Sequence, residues 1–192
     1  MQCATRMYYG WILSSLLFAT SCGAGNDLPE ILVVSDFELT DHRGERFASH
    51  ELTGGVTVVS FVFTSCRDVC PLITNQVANL HRRVDDPNAR FLSISVDPEV
   101  DTPARLAEYG ERYGADDRWT FLTGERAAVE GVVTRIFRVS MGERNDFAGG
   151  YDIAHTEQLL LVDSRRTLRG AYDTDRAGME RLERDLERLL AD

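Results

Sequence analysis

Residues 56–63 read VTVVSFVF, a continuous run of β-branched and aromatic residues. A strand with one face in water alternates apolar and polar positions, so an unbroken run of this kind reads as a strand covered on both faces. Double coverage requires a layer above and a layer below the sheet, and the rest of the chain supplies them. Residues 90–97, RFLSISVD, form a second such strand. Asp101-Thr102-Pro103 opens a helix with Leu106, Tyr109 and Tyr113 along one face, and Gly114 stops it. WTFLTG is a short strand, and residues 125–137 are a helix with Val129, Val132, Val133 and Ile136 inward. EQLLLVD and LRGAYD are two strands joined through residues 163–166. Residues 175–190 close the chain as a helix with Met179, Leu182, Leu186, Leu189 and Leu190 in one stripe. Upstream, DFELTDHRGERF alternates around His42-Arg43-Gly44 as a hairpin does. The expected fold is α/β: a central mixed sheet flanked by helices, with an N-terminal β-hairpin.

A chain of 192 residues, 43% hydrophobic, is long enough for one such domain with an ordinary core. The net charge of −10, with positive residues scattered singly or in pairs such as Arg82-Arg83, excludes a phosphate-tracking surface and so a nucleic-acid partner. The N-terminus has the shape of a targeting segment: residues 7–22 hold an apolar stretch too short to span a bilayer, followed by small residues. Ala19-Thr20-Ser21-Cys22 resembles a bacterial lipoprotein box, in which the cysteine carries the lipid. The expected organisation is therefore a signal peptide of lipoprotein type over residues 1–21, a linker over residues 22–35, and one domain over residues 36–192, exported and tethered through Cys22. At most ~3.5 Å per residue, the linker holds the domain within about 45 Å of the membrane.

Of four cysteines, Cys3 and Cys22 belong to the targeting segment, leaving Cys66 and Cys70 in FTSCRDVCPL. Two thiols exclude a disulfide scaffold, and a loop this short gains little from a purely structural bridge. The loop leaves the first buried strand at its C-terminal edge, where ligand sites of α/β sheets collect. It also precedes a helix, with Pro71 suited to the first turn, so the N-terminal dipole favours thiolate at whichever sulfur faces the free N–H groups. Exposed thiolates there can exchange with disulfides or bind soft metals. Structural zinc asks for four ligands, and beyond two sulfurs and one histidine no fourth stands out. Copper(I) accepts two or three soft donors. Residues 140–156, SMGERNDFAGGYDIAHT, show neither helical nor strand periodicity and read as a long functional loop ending at His155. Met141 in that loop reads as packing. His81 reads as the solvent-facing residue of a helix, and His42 and His50 carry no assignment.

FVFTSCRDVCP, SISVDPEVDTPARLAEYGERYG, WTFLTG and AHTEQLLLVD together resemble the Sco/SenC family of thioredoxin-fold copper proteins, over Asp36 to about Tyr172. The resemblance implies a thioredoxin-like fold, copper as Cu(I) or Cu(II), and Cys66, Cys70 and His155 as its ligands. It further implies that the protein delivers copper to, or matures the copper site of, cytochrome c oxidase, with subunit II or another cuproprotein as partner. A reducing thioredoxin-like partner would keep Cys66 and Cys70 as thiols. Two positions depart from the family pattern: Arg67 stands where a proline is usual, adding positive charge beside the sulfurs, and Ala154 stands where an acidic residue is common, removing a carboxylate that could orient the imidazole. The same sulfurs also suit an enzyme, a thiol–disulfide oxidoreductase acting on a partner's copper-ligand cysteines without needing His155. A peroxidase reading is weaker, because the proline-containing peroxidatic motif is absent.

Overall fold

The computed structural model of the chain describes residues 28–66, 69–148 and 150–192. The expected signal peptide, Cys22, Arg67 and Asp68 lie outside the described residues. Among those described, no helix is long and apolar enough to cross a membrane.

The run at residue 56 becomes β4 (Val56–Val62), buried at every position. It pairs in parallel with β5 (Ala89–Ser95), which pairs in parallel with β6 (Trp119–Thr123). On its other side β4 meets β9 (Leu159–Val162) antiparallel, followed by β10 (Thr167–Tyr172) and the short edge strand β1 (Leu32–Val33). The predicted hairpin, β2 (Glu38–Asp41) and β3 (Arg46–Ala48), extends the sheet beyond β6 and turns at Gly44, whose φ of 85° suits glycine. The eight-stranded mixed order is β1-β10-β9-β4-β5-β6-β2-β3.

Alternation along β4 divides the core. Val56 and Val58 face a layer built from α1 (Val69–Arg83), α2 (Pro103–Tyr113) and α4 (Arg176–Leu190), while Val59 and Phe61 face the opposite layer. That second layer is α3 (Arg126–Glu130), its π-helical continuation Gly131–Ile136, and a separate β-hairpin. Ser60 stays inside the first layer because its hydroxyl bonds Ser93 Oγ at 2.8 Å, and Trp119 Nε1 donates to the same Ser93 oxygen at 2.9 Å. Thr102 caps α2 by accepting from the Arg105 N–H at 3.3 Å, a cap worth about 1 kcal/mol, and Gly114 ends the helix in the left-handed region.

Three elements differ from expectation. Residues 140–156, read as a loop, form the hairpin of β7 (Met141–Phe147) and β8 (Gly150–His155). Its period was hidden because the outer face is exposed and polar, and because a bulge breaks the alternation on β7. His81, expected in water, is 4% exposed. Its ring lies 5.1 Å from Phe91 and 5.5 Å from Trp119, and its Nε2 meets Asp116 at 2.8 Å, so the packed face of α1 continues into the last turn. Residues 28–35, read as the end of the linker, sit on the sheet: β1 pairs with β10, and Arg169 Nε donates to the Pro29 carbonyl at 3.0 Å.

Candidate metal and dithiol site

β4 ends at Val62, and the chain turns so that the Cys66 N–H donates to the Phe63 carbonyl at 3.2 Å. The turn is held from below by Asp101, which is fully buried. Its carboxylate accepts from the Thr64 N–H at 3.1 Å, from Thr64 Oγ1 at 2.5 Å and from Ser95 Oγ at 2.7 Å. Burial pushes the Asp101 carboxyl up, and the hydroxyls of Ser95 and Thr64 pull it back by bonding the charged form. Arg105, in the first turn of α2, donates to Thr64 Oγ1 at 3.0 Å and Ser65 Oγ at 3.3 Å. The loop carrying the first cysteine is thus fastened to the start of α2.

Cys66 is half-buried and Cys70, in the first turn of α1, is fully buried; both are free thiols. The Cys70 N–H, one of the donors left open at the helix start, points to Cys66 Sγ at 3.4 Å. Cys66 is therefore the sulfur that the helix N-terminus reaches. Cys70 corrects the expectation of two exposed thiolates: burial pushes its thiol well above the ordinary range, against a counteracting bond to the Phe63 backbone. Of the two, only Cys66 is open to an incoming disulfide.

His155 ends β8, eighty-five residues from Cys70, and its Nε2 lies 3.5 Å from Cys70 Sγ. The other ring nitrogen, Nδ1, is 2.8 Å from the Thr156 carbonyl, which can only accept. Nδ1 therefore carries the proton and donates it, leaving the Nε2 lone pair aimed at the sulfur. Burial holds the imidazole below its usual pKa, so it is neutral at pH 7. Ala154 is exposed, on the opposite face of β8 from His155. The ring is oriented by a backbone carbonyl, and the missing acidic side chain leaves that orientation intact.

The hairpin is itself anchored to the sheet. Phe63 stacks on Tyr151 with ring centres 5.9 Å apart and meets the His155 ring edge-on at the same 5.9 Å. The Tyr151 hydroxyl donates to the carboxylate of buried Asp97, and Arg144 Cζ lies 3.6 Å above the Tyr151 ring. Asp97 and Asp101 come from the Asp-Pro-Glu-x-Asp-Thr-Pro run. The sequence marked that run as a family signature and gave no role for its carboxylates. One secures the hairpin, the other the cysteine loop. No signal in the sequence singles out Tyr151, whose partner lies 54 residues away.

Cys66, Cys70 and His155 are thus brought to one edge of the sheet, with Cys70 as the hub. Among the described residues, no three His, Cys, Asp or Glu side chains already stand at ligating distance of one another. His42 and His81 are engaged elsewhere: His42 Nδ1 accepts from the Phe121 N–H at 3.3 Å, and His81 bonds Asp116. The donor set, two sulfurs and a neutral imidazole lone pair, fits a soft thiophilic ion and lacks the carboxylates that a hard cation requires.

Fold and site together define a thioredoxin-like protein with a Cys-x-x-x-Cys dithiol and a distal histidine. The SCO1/SenC family model matches residues 26–191, and the chain belongs to that family. It is 32% identical to the SCO2-like protein of Rickettsia felis, covering 70% of this chain and 66% of that relative. The structure is similar to a SCO1/SenC family lipoprotein from Bacillus anthracis, with TM-score 0.73, 27% identity, and 83% and 95% of the two chains covered. It is also similar to Bradyrhizobium japonicum ScoI with copper bound, with TM-score 0.72, 28% identity, and 82% and 99% covered.

Proposed function

We propose that this protein is an exported, membrane-tethered copper-binding accessory protein. Cys66, Cys70 and His155 hold copper as cargo and pass it to an apo-cuproprotein, subunit II of cytochrome c oxidase being the expected acceptor. The observation that carries the reading is the tautomer of His155: with Nδ1 committed to Thr156, the free lone pair of Nε2 faces Cys70 Sγ. A histidine serving only as packing has no need of that arrangement. Copper loading displaces the two thiol protons, and transfer proceeds by exchange of one sulfur or nitrogen donor at a time for a donor of the acceptor. The copper-bound ScoI and the lipoprotein among the similar structures support the cargo and the anchor through Cys22. A reducing partner is required, because the disulfide form has no thiolates to offer.

The asymmetry of the two sulfurs favours a second activity, reduction of a partner disulfide. The Cys66 thiolate attacks one partner sulfur, forming a mixed disulfide and releasing the other as a thiol. The Cys70 thiol, losing its proton, then displaces the remaining partner sulfur and closes the Cys66–Cys70 disulfide, so that two electrons and two protons have passed to the partner.

Anaerobic titration of the reduced protein with copper distinguishes the readings. One-to-one binding with a copper(II)–thiolate charge-transfer band is expected, lost in the Cys66→Ser/Cys70→Ser double variant and strongly weakened in His155→Ala. Disulfide exchange should survive in His155→Ala. Copper stoichiometry that is unchanged without both cysteines would overturn the copper assignment.

A further inference from the structure

Met141 stands directly across the hairpin from His155, the two being register partners of β7 and β8. Partners in an antiparallel pair share a face, with Cβ atoms roughly 4.5–5.5 Å apart. The shared face is the inner one: Tyr151, Ile153 and His155 alternate along it, Ile153 is buried at 1% exposure, and Met141 packs on the core cluster that contains Cys70. Met141 is half-buried and lines, with His155, Thr156 and Gln158, an open cleft beside the site.

The bulge produces this alignment. Met141 pairs with His155 and Arg144 with Ile153, so Gly142 and Glu143 together oppose Ala154. Met141 and Arg144 are three residues apart, and simple alternation would send them to opposite faces. The extra residue returns Met141 to the face of His155 while Arg144 remains over Tyr151. Glycine at 142 permits the close approach, since a Cβ there would lie 3.2 Å from the Ala154 Cβ and carbonyl oxygen.

We propose that Met141 supplies a thioether donor to the copper held by Cys66, Cys70 and His155. This rests on the copper-binding reading above and adds a fourth, neutral donor to it. A thioether is soft, needs no deprotonation, and carries no charge that would favour the copper(II) state, so its contribution falls on copper(I). A methionine placed only for packing would do as well as leucine.

Two measurements on the purified, reduced protein test this. Competition with bathocuproine disulfonate gives the copper(I) affinity, which should fall about tenfold or more in Met141→Leu. X-ray absorption at the selenium edge of selenomethionine-labelled, copper(I)-loaded protein should show a copper neighbour, and that signal should vanish in Met141→Leu, which retains Met179. Loaded wild type with no copper seen from selenium, or a folded Leu variant of unchanged affinity, overturns the proposal and leaves the copper reading standing. Wild type that takes up no copper overturns both. If the Leu variant does not fold, the selenium edge of the wild type decides.

Discussion

The Tyr151 hydroxyl donates its hydrogen bond to the Asp97 carboxylate, across 54 residues of chain, and so ties the hairpin bearing His155 to the end of β5. Asp97 is 1% exposed, and no other hydrogen-bond donor is seen on its carboxylate oxygens among the described residues. Tyr151→Phe keeps the stack on Phe63 but leaves a buried acceptor unsatisfied. It should destabilise the protein by about 1–3 kcal/mol in urea unfolding and weaken copper(I) binding several-fold through a looser His155. A Phe variant with unchanged midpoint and affinity would show that the bond neither stabilises the hairpin nor positions the histidine.

Asp101 is the matching anchor for the cysteine loop. In Asp101→Ala, the Thr64 N–H, the Thr64 hydroxyl and the Ser95 hydroxyl lose their common acceptor. Hydrogen exchange at Thr64 and Ser65 should rise by at least tenfold, with strands β5 and β6 unaffected. Equal acceleration across the whole sheet would mean that Asp101 supports the fold globally and has no local hold on the loop.

Copper affinity should climb with pH. Burial raises the Cys70 thiol, so its proton must be displaced by the metal throughout the neutral range. Burial also lowers His155, so protonation of the imidazole begins to compete only below its ordinary value of 6.5. The conditional copper(I) affinity should therefore still be rising near pH 9, beyond the ordinary cysteine pKa of about 8.5, where both thiols would otherwise have titrated. An affinity that levels off near pH 7 would contradict the buried state of Cys70.

Away from the site, Asp163 and Arg169 form a buried ion pair at 2.8 Å, each side chain about one-twentieth exposed (6% and 5%). Burial works against the Asp163 charge, but the Thr167 N–H, the Arg169 guanidinium and the Arg165 N–H outweigh it and hold the carboxyl below its usual value. A carboxylate with a lowered folded pKa contributes stability that is complete above the unfolded pKa of about 3.9 and is lost as pH falls through the folded value. Asp163→Asn should cost about 3 kcal/mol at pH 7, and the gap between wild type and variant should narrow below about pH 4. A gap that stays constant to pH 3 would remove the pair from the acid response.

The layers and the dithiol are legible along the chain. The unbroken apolar run of β4, the helix stripes closing in α4, and Cys66 and Cys70 at the strand-to-helix junction are local patterns, and local patterns survive in one dimension. His155 was legible only through the family resemblance, because an isolated histidine has no period. Which groups meet depends on packing between distant segments. Residues 140–156 read as a loop because a bulge and a solvated face erase the alternation. Their pairing as β7 and β8 is what brings Met141 and His155 to one face, and Tyr151 to Asp97. The burial of His81 is likewise tertiary, since it comes from Phe91 and Trp119 on other elements. The unequal surroundings of the two sulfurs likewise arise from packing: a spacing of four residues places both near the helix start, but only the core cluster containing Phe63 and Ile153 makes Cys70 the buried thiol and leaves Cys66 half-buried.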